Sequence, residues 1–322
     1  MNRQSGARPD PAIRRWIARQ LTPPPRAPSL VITVWGDAIA PHGGAVVLSS
    51  LIALLAAFGL NERLVRTSVF RLTQDGWLAA APFGRRSLYC LTPEGTRRFD
   101  QAYRRIYAAA APPWNDEWEI LVGNGLTAGE RRRLRQELAW EGFGVIAPGV
   151  YGRPAKNGST VHRVVDALGL ADRLIAMHAR DTTDAGALPL AAAVPHAWDL
   201  AALAASYQAF LRAFGNVIER FRRAPGDALD AEQAFVVRTL LIHAYRRVLL
   251  RDPQLPEALL PPDWPGRAAA GLCRDFYRLT HRAAERHLLA TLRGPEGPLP
   301  AADALFHQRF GGLDVPAAQR KD

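Results

Sequence analysis

Arg63, Arg66 and Arg71, with Thr67 and Gln74, recur through a twelve-residue stretch at spacings that put them on one side of an α-helix. A guanidinium fork matches the edge of guanine or a phosphate, and a carboxamide can pair with adenine. The set therefore has the chemistry of major-groove readout in double-stranded DNA. At 100° per residue, Val65, Ser68, Val69 and Leu72 fall on the other side and read as the core face. Phe70 falls among the polar residues and fits either a thymine methyl or a neighbouring element. A charged helix face standing alone reads as a solvated surface, so the surrounding elements decide the reading.

Those elements are all present. Val46–Phe58 reads as an apolar helix, and Gly59-Leu60 as a tight turn into the next. Asn61 is an N-cap for that second helix and Gly76 a C′ glycine. Trp77–Ala81 and Leu88–Leu91 form a hairpin with Phe83-Gly84-Arg85-Arg86-Ser87 at its tip, and Thr92-Pro93-Glu94 starts a further helix. Helix, turn, helix and hairpin in this order predict a winged helix-turn-helix over 29–110. Arg85 and Arg86 are placed to meet phosphate or the minor groove, adding affinity more than sequence information.

Charge supports the same reading. The chain of 322 residues carries a net +11, yet residues 1–105 hold 15 arginines against 6 carboxylates, leaving only +2 on the other 217. Lys156 and Lys321 are the only lysines, so the arginine excess partly reflects coding bias, but bias does not concentrate charge in one third of a chain. A confined positive field suits a polyanion. Two cysteines, Cys90 and Cys273, cannot build a disulfide framework and fit a reducing compartment. Residues 1–28 are rich in Arg and Pro without the apolar stretch of a signal peptide, and predict a disordered tail. No apolar run is long enough to span a membrane, and a cytoplasmic location is expected.

Beyond a break at Ala108–Pro113, residues 114–195 read as β-α-β-α-β and predict a small ferredoxin-like domain. Residues 196–295 are all helix, and 296–322 read as a second tail. The fold class is thus α+β and multidomain. On the first middle-domain helix, Arg131-Arg132-Arg133 and Arg135 read as a solvated face paired with Glu130, Glu137 and Glu141; a second contact to DNA or to ligand phosphates is the alternative. No phosphate loop, GxGxxG motif or metal-ligand spacing occurs, and the eight histidines are scattered, so no catalytic residue, cofactor or metal is expected.

Ser29–Leu72, SLVITVWGDAIAPHGGAVVLSSLIALLAAFGLNERLVRTSVFRL, resembles the N-terminal domain of the PaaX family, repressors of phenylacetic-acid catabolism. Leu241–Gly266, LIHAYRRVLLRDPQLPEALLPPDWPG, is similar to that family's C-terminal domain, so the resemblance covers about 29–293. It implies a homodimeric transcriptional repressor on a palindromic operator, released by phenylacetyl-coenzyme A, with a middle domain like the Cas2 ferredoxin-type fold. Nucleases of that fold carry an Asp near the end of their first strand. Ile120-Leu121-Val122-Gly123-Asn124 has none, which speaks against cleavage. Tyr245, Arg246, Arg247, Arg251 and Trp264 supply the cations and aromatic platform that a coenzyme A thioester would need, although Trp264 equally fits a packing anchor. A metal-dependent nuclease and a non-specific, architectural nucleic-acid-binding protein remain the alternatives.

Overall fold

The structure, a computed structural model, describes residues 8–84, 86–107, 114–155, 161–181, 189–224 and 229–313, and of Arg163 the backbone alone. The chain forms two compact units. The first draws on Met1–Ala109, Phe210–Arg246 and Ala268–Asp322, the second on Ala110–Ala209 and Arg247–Arg267.

Helices α1 (Pro11–Gln20) and α2 (Ala27–Val34) open the first unit. From Asp10 onward the expected disordered tail is instead built structure; residues 1–7 lie outside the described ones. Asp10 caps α1 by accepting the Ala12 N–H at 2.7 Å, and Pro11 takes the first helical position. Ile13 and Trp16, three residues apart, are buried. The Trp16 indole donates to the Ala213 carbonyl at 3.1 Å, and its ring meets Phe214 at a steep angle. Enrichment in Arg and Pro suggested disorder, and a ten-residue helix alone is marginal in water; packing of its apolar face supplies what propensity does not.

Helix α2 runs on into a π-turn, Trp35–Ile39, which carries Asp37 inward. Next come β1 (Ala45–Val47), α3 (Leu48–Ala56), α4 (Glu62–Gln74), β2 (Leu78–Phe83), β3 (Arg86–Leu91) and α5 (Pro93–Tyr107). The run expected as one helix, Val46–Phe58, is therefore split. Ala45–Val47 pairs with Leu88–Cys90, and the helix begins only at Leu48. Two adjacent valines are at home in a strand once a partner exists. The sheet order is β1-β3-β2, antiparallel throughout.

Both ends of α4 are fixed by local chemistry. The Asn61 side chain accepts the Leu64 N–H at 2.9 Å. At the other end Gly76 has φ +73°, its N–H donates to Thr73 O, and Trp77 N–H donates to Leu72 O. These paired bonds close the helix in a Schellman motif. Thr92 ties this end to α5: its hydroxyl donates to Gly76 O at 2.6 Å and accepts the Gly95 N–H at 2.9 Å. A Cβ at Gly95 would lie 2.2 Å from Trp77 O, a backbone atom with little room to yield. Gly95→Ala is expected to cost about 1–3 kcal/mol in urea unfolding; an unchanged midpoint would mean that the junction is loose.

The second unit holds β4 (Trp118–Gly123), α6 (Ala128–Trp140), β5 (Gly144–Ala147), β6 (Val150–Pro154), α7 (Val161–Leu168), β7 (Leu174–Ala179) and α8 (Val194–Ala197). Its sheet order is β5-β6-β4-β7, all antiparallel, which is the ferredoxin-like arrangement of β-α-β-β-α-β. Leu121, Leu134, Leu138, Tyr151 and Val165 form one core cluster, and Trp118, Ile120, Val194 and Leu255 another. Alternation along β4 separates the two: Leu121 points one way, Trp118 and Ile120 the other.

Three long helices follow: α9 (Leu200–Arg223), α10 (Ala231–Leu249) and α11 (Pro265–Thr291). The helical stretch read as 196–295 is shared, its parts Phe210–Arg246 and from Ala268 onward belonging to the first unit. The expected tail from 296 is also structured as far as Leu313. Strands β8 (Arg293–Gly294) and β9 (Gly297–Pro298) pair, α12 (Ala304–Gln308) follows, and Phe306, Arg309 and Phe310 are buried. Residues 314–322 lie outside the described ones.

Candidate nucleic-acid interface

On α4, Arg63, Arg66, Thr67, Arg71 and Gln74 are all exposed, while Val65, Ser68, Val69 and Leu72 are buried. Phe70 lies with the exposed set at 61% of its full accessibility. A phenyl ring left in water on a basic face is the less common arrangement, and it suits contact with an apolar base edge. The Arg66 guanidinium is held by Glu62 one turn earlier, at 2.7–2.8 Å, with both partners exposed. Such a pair is worth a few tenths of a kcal/mol and yields readily to a phosphate. In the hairpin, Phe83 pairs with Arg86 across a turn that Gly84 enters at φ +57°. Arg86 is exposed, and Arg85 lies outside the described residues.

Helix α4 rests on α2 and α3. One turn beyond α2, Asp37 is 1% exposed and is the centre of a buried polar network that the sequence reading missed. The phenols of Tyr107 and Tyr277 donate to its Oδ1 at 2.6 and 2.9 Å. Arg309 donates to the Asp37 carbonyl at 2.8 Å and to the Tyr277 hydroxyl. Arg238 lies 3.4 Å from Asp37 Oδ2 and 2.9 Å from Glu285 Oε1. His42 completes the set, with Nε2 at 2.8 Å from Glu285 and Nδ1 at 2.6 Å from Pro300 O. The guanidinium of Arg309 also sits 4.2 Å from the ring centroid of Tyr107. Burial works against both arginine charges, but the facing phenols and Asp37 more than offset it and raise both pKa values. One signal was available: Asp37 is the sole charged residue between Arg26 and Glu62, inside an apolar helix. Its partners come from 70 residues away, for Tyr107, to 272 for Arg309, and carry no such mark.

Burial alone would raise the pKa of Glu285, but the hydrogen bond from His42 and the charge of Arg238 bring it down from 4.5 to about 2. A carboxyl depressed on folding stabilises the native state above its unfolded pKa and loses that contribution as pH falls through the folded one. The parent is therefore expected to lose about 3 kcal/mol more unfolding free energy between pH 5 and pH 2 than Glu285→Gln does. Equal slopes in acid denaturation would contradict this.

Of the five residues considered for an effector, Tyr245, Arg246 and Arg247 are consecutive near the end of α10. Tyr245 and Arg246 belong to the first unit, and Arg247, Arg251 and Trp264 to the second. Tyr245 is buried, and Arg246 donates to Ser29 O and Oγ at 3.2 and 3.0 Å. Arg246 also lines a cavity of about 50 Å³, room for a water or two but not for a coenzyme. Trp264 is 6% exposed and packs against Tyr207, with ring centroids 5.9 Å apart and nearly perpendicular planes. It has the surroundings of a packing anchor rather than a free stacking platform. Arg247 and Arg251 are exposed.

Among the described residues no group of three or more His, Cys, Asp or Glu could hold a metal ion, and no helix is long and apolar enough to cross a membrane. The carboxylate on the first strand of the middle sheet, Glu119, is buried against Arg153 at 2.8 Å.

Family models match three consecutive parts of the chain: residues 26–95 as PaaX-like protein, 111–189 as PaaX protein central Cas2-like domain, and 198–290 as PaaX-like protein C-terminal domain. The Transcriptional repressor PaaX of Escherichia coli (strain K12) is 37% identical over 287 residues, covering 89% of this chain and 90% of that one. Among solved structures, the uncharacterized protein Rv0674 from Mycobacterium tuberculosis matches with a TM-score of 0.49 and 26% identity, over 74% of this chain and 90% of the other.

Proposed function

The chain belongs to the PaaX family of transcriptional repressors, and we propose that it represses an aromatic-acid operon, that of phenylacetate, by reading a palindromic operator as a homodimer. The α3–turn–α4 pair with the β2–β3 hairpin acts as a winged helix-turn-helix. Arg63, Arg66, Thr67, Arg71 and Gln74 enter the major groove, and Arg85 and Arg86 on the wing reach phosphate or the minor groove. The observation that carries this reading is the exposed basic face of α4, capped at both ends and backed by the buried Val65, Ser68, Val69 and Leu72. Chemistry of this kind positions and reads DNA and cuts nothing, so the protein is a regulator rather than an enzyme.

An aryl-acyl-coenzyme A such as phenylacetyl-CoA releases it. A ligand shifts such an equilibrium only by binding one conformation better, here the one whose two reading helices no longer match the half-sites. The test is a fluorescence-anisotropy titration on promoter-region DNA, repeated with phenylacetyl-CoA and with free coenzyme A. Release by the thioester alone is the expected result. Indifference to the thioester would remove the effector and leave the regulator standing.

A further inference from the structure

The second unit contains a cleft of about 470 Å³, where the β4–α6 loop faces the β5–β6 turn. That volume falls within the range of small-molecule sites. Arg131, Arg132 and Arg135 line it, and none of its lining residues is acidic. Two of the three carboxylates expected to pair with this basic run are engaged elsewhere, Glu130 with Arg173 and the Thr127 cap and Glu141 with Arg153, and the third, Glu137, makes no ion pair with it among the described residues. Arg131 donates to the Leu126 carbonyl at 2.5 Å. Arg132 and Arg135 have no ion pair among the described residues. Like charges at i and i+4, as Arg131 and Arg135 are, weaken a helix. Three cations thus converge on a concavity without a counter-charge, and among the described residues only Arg131 makes a side-chain hydrogen bond to the fold.

Tyr151 adds a second, independent observation. It is 3% exposed, its ring belongs to the core, and it lines the same cleft, where its hydroxyl makes no hydrogen bond among the described residues. Burial raises its pKa while the charges of Arg131 and Arg135 oppose that, so both guanidinium groups act on the phenol. Gly125 and Gly149, at φ +60° and +80°, keep the rim free of side chains, and Leu126, Val145 and Pro148 supply apolar wall. A site of this make-up takes an anion with several oxygens attached to a partly apolar body.

We propose that this cleft binds the phosphate-bearing nucleotide end of the thioester effector, with Arg132 and Arg135 on phosphate oxygens and Tyr151 donating its hydroxyl. The assignment rests on the effector reading above. Its test is calorimetric titration of the full chain with phenylacetyl-CoA, in the parent, in Arg132→Ala/Arg135→Ala and in Tyr151→Phe, alongside anisotropy on promoter DNA without ligand. A charge-assisted hydrogen bond is worth roughly tenfold or more in affinity. The double variant should therefore bind the thioester at least about thirtyfold more weakly, and Tyr151→Phe several-fold more weakly, with DNA affinity and melting unchanged. Undiminished thioester binding by both variants would overturn the cleft assignment alone. Lost DNA affinity with thioester binding intact would make the cleft a nucleic-acid contact and equally overturn it. No binding of the thioester by the parent would sink the effector reading, and this assignment with it.

Discussion

Asp37→Asn is expected to destabilise the first unit by about 3–5 kcal/mol, as removal of one partner from a buried ion network does. The carboxylate is the acceptor for two phenols and the counter-charge for two arginines, Arg238 and Arg309, that have no access to solvent. An amide of the same shape keeps the volume and one acceptor oxygen. It leaves Arg309 without a carboxylate and Arg238 with Glu285 only. Filling the same space with apolar groups at all positions together would cost far less, because no charge would then be stranded. Denaturant unfolding followed by tryptophan fluorescence measures the effect, with Glu62→Gln on the exposed pair as the control near zero. A loss below about 1 kcal/mol would show that the network is not what holds α2, and α4 upon it, in place.

Arg66→Ala and Arg71→Ala are each expected to weaken operator binding by about 1–3 kcal/mol, a factor between five and a hundred and fifty, without changing the circular dichroism. Both side chains are exposed and neither contributes to the core. Arg66→Ala should be the more severe, since it leaves Glu62 uncompensated on a face turned toward phosphates. Glu62→Gln added to Arg66→Ala should then recover part of the loss. Parental affinity for both single variants in a gel shift would remove α4 from the interface.

Much of this was legible in the sequence wherever local chemistry governs the outcome. Helix α4 has the ends that Asn61 and Gly76 announce, and its buried residues are the four that helical periodicity puts on one side. Short alternating units pointed to the ferredoxin-like class of the middle domain as β-α-β-α-β, but the stretch 143–152 holds two strands, β5 and β6, paired across a tight turn, so the pattern is β-α-β-β-α-β. What escaped was whatever depended on distant partners. Trp16 and Phe310 lie in stretches whose composition reads as tail, and each is ordered by side chains far along the chain. Val46 and Val47 became a strand only because Leu88–Cys90 lies beside them. Tyr245 and Trp264, both considered for an effector, are buried against Phe210 and Tyr207 respectively, the packing role that the sequence also allowed for Trp264. The arginines of α6 had the opposite history, reading as a self-neutralised surface although two of their three expected carboxylate partners, Glu130 and Glu141, are engaged elsewhere.

The most direct test of sequence-specific recognition by α4 is an anisotropy titration of the full chain on a duplex from its own promoter region, against a scrambled duplex of equal length and composition at the same salt. Binding to the promoter duplex is expected to be about a thousandfold tighter or more. Equal affinity for both, with the same salt dependence, would contradict it and leave a basic protein that holds DNA without reading it.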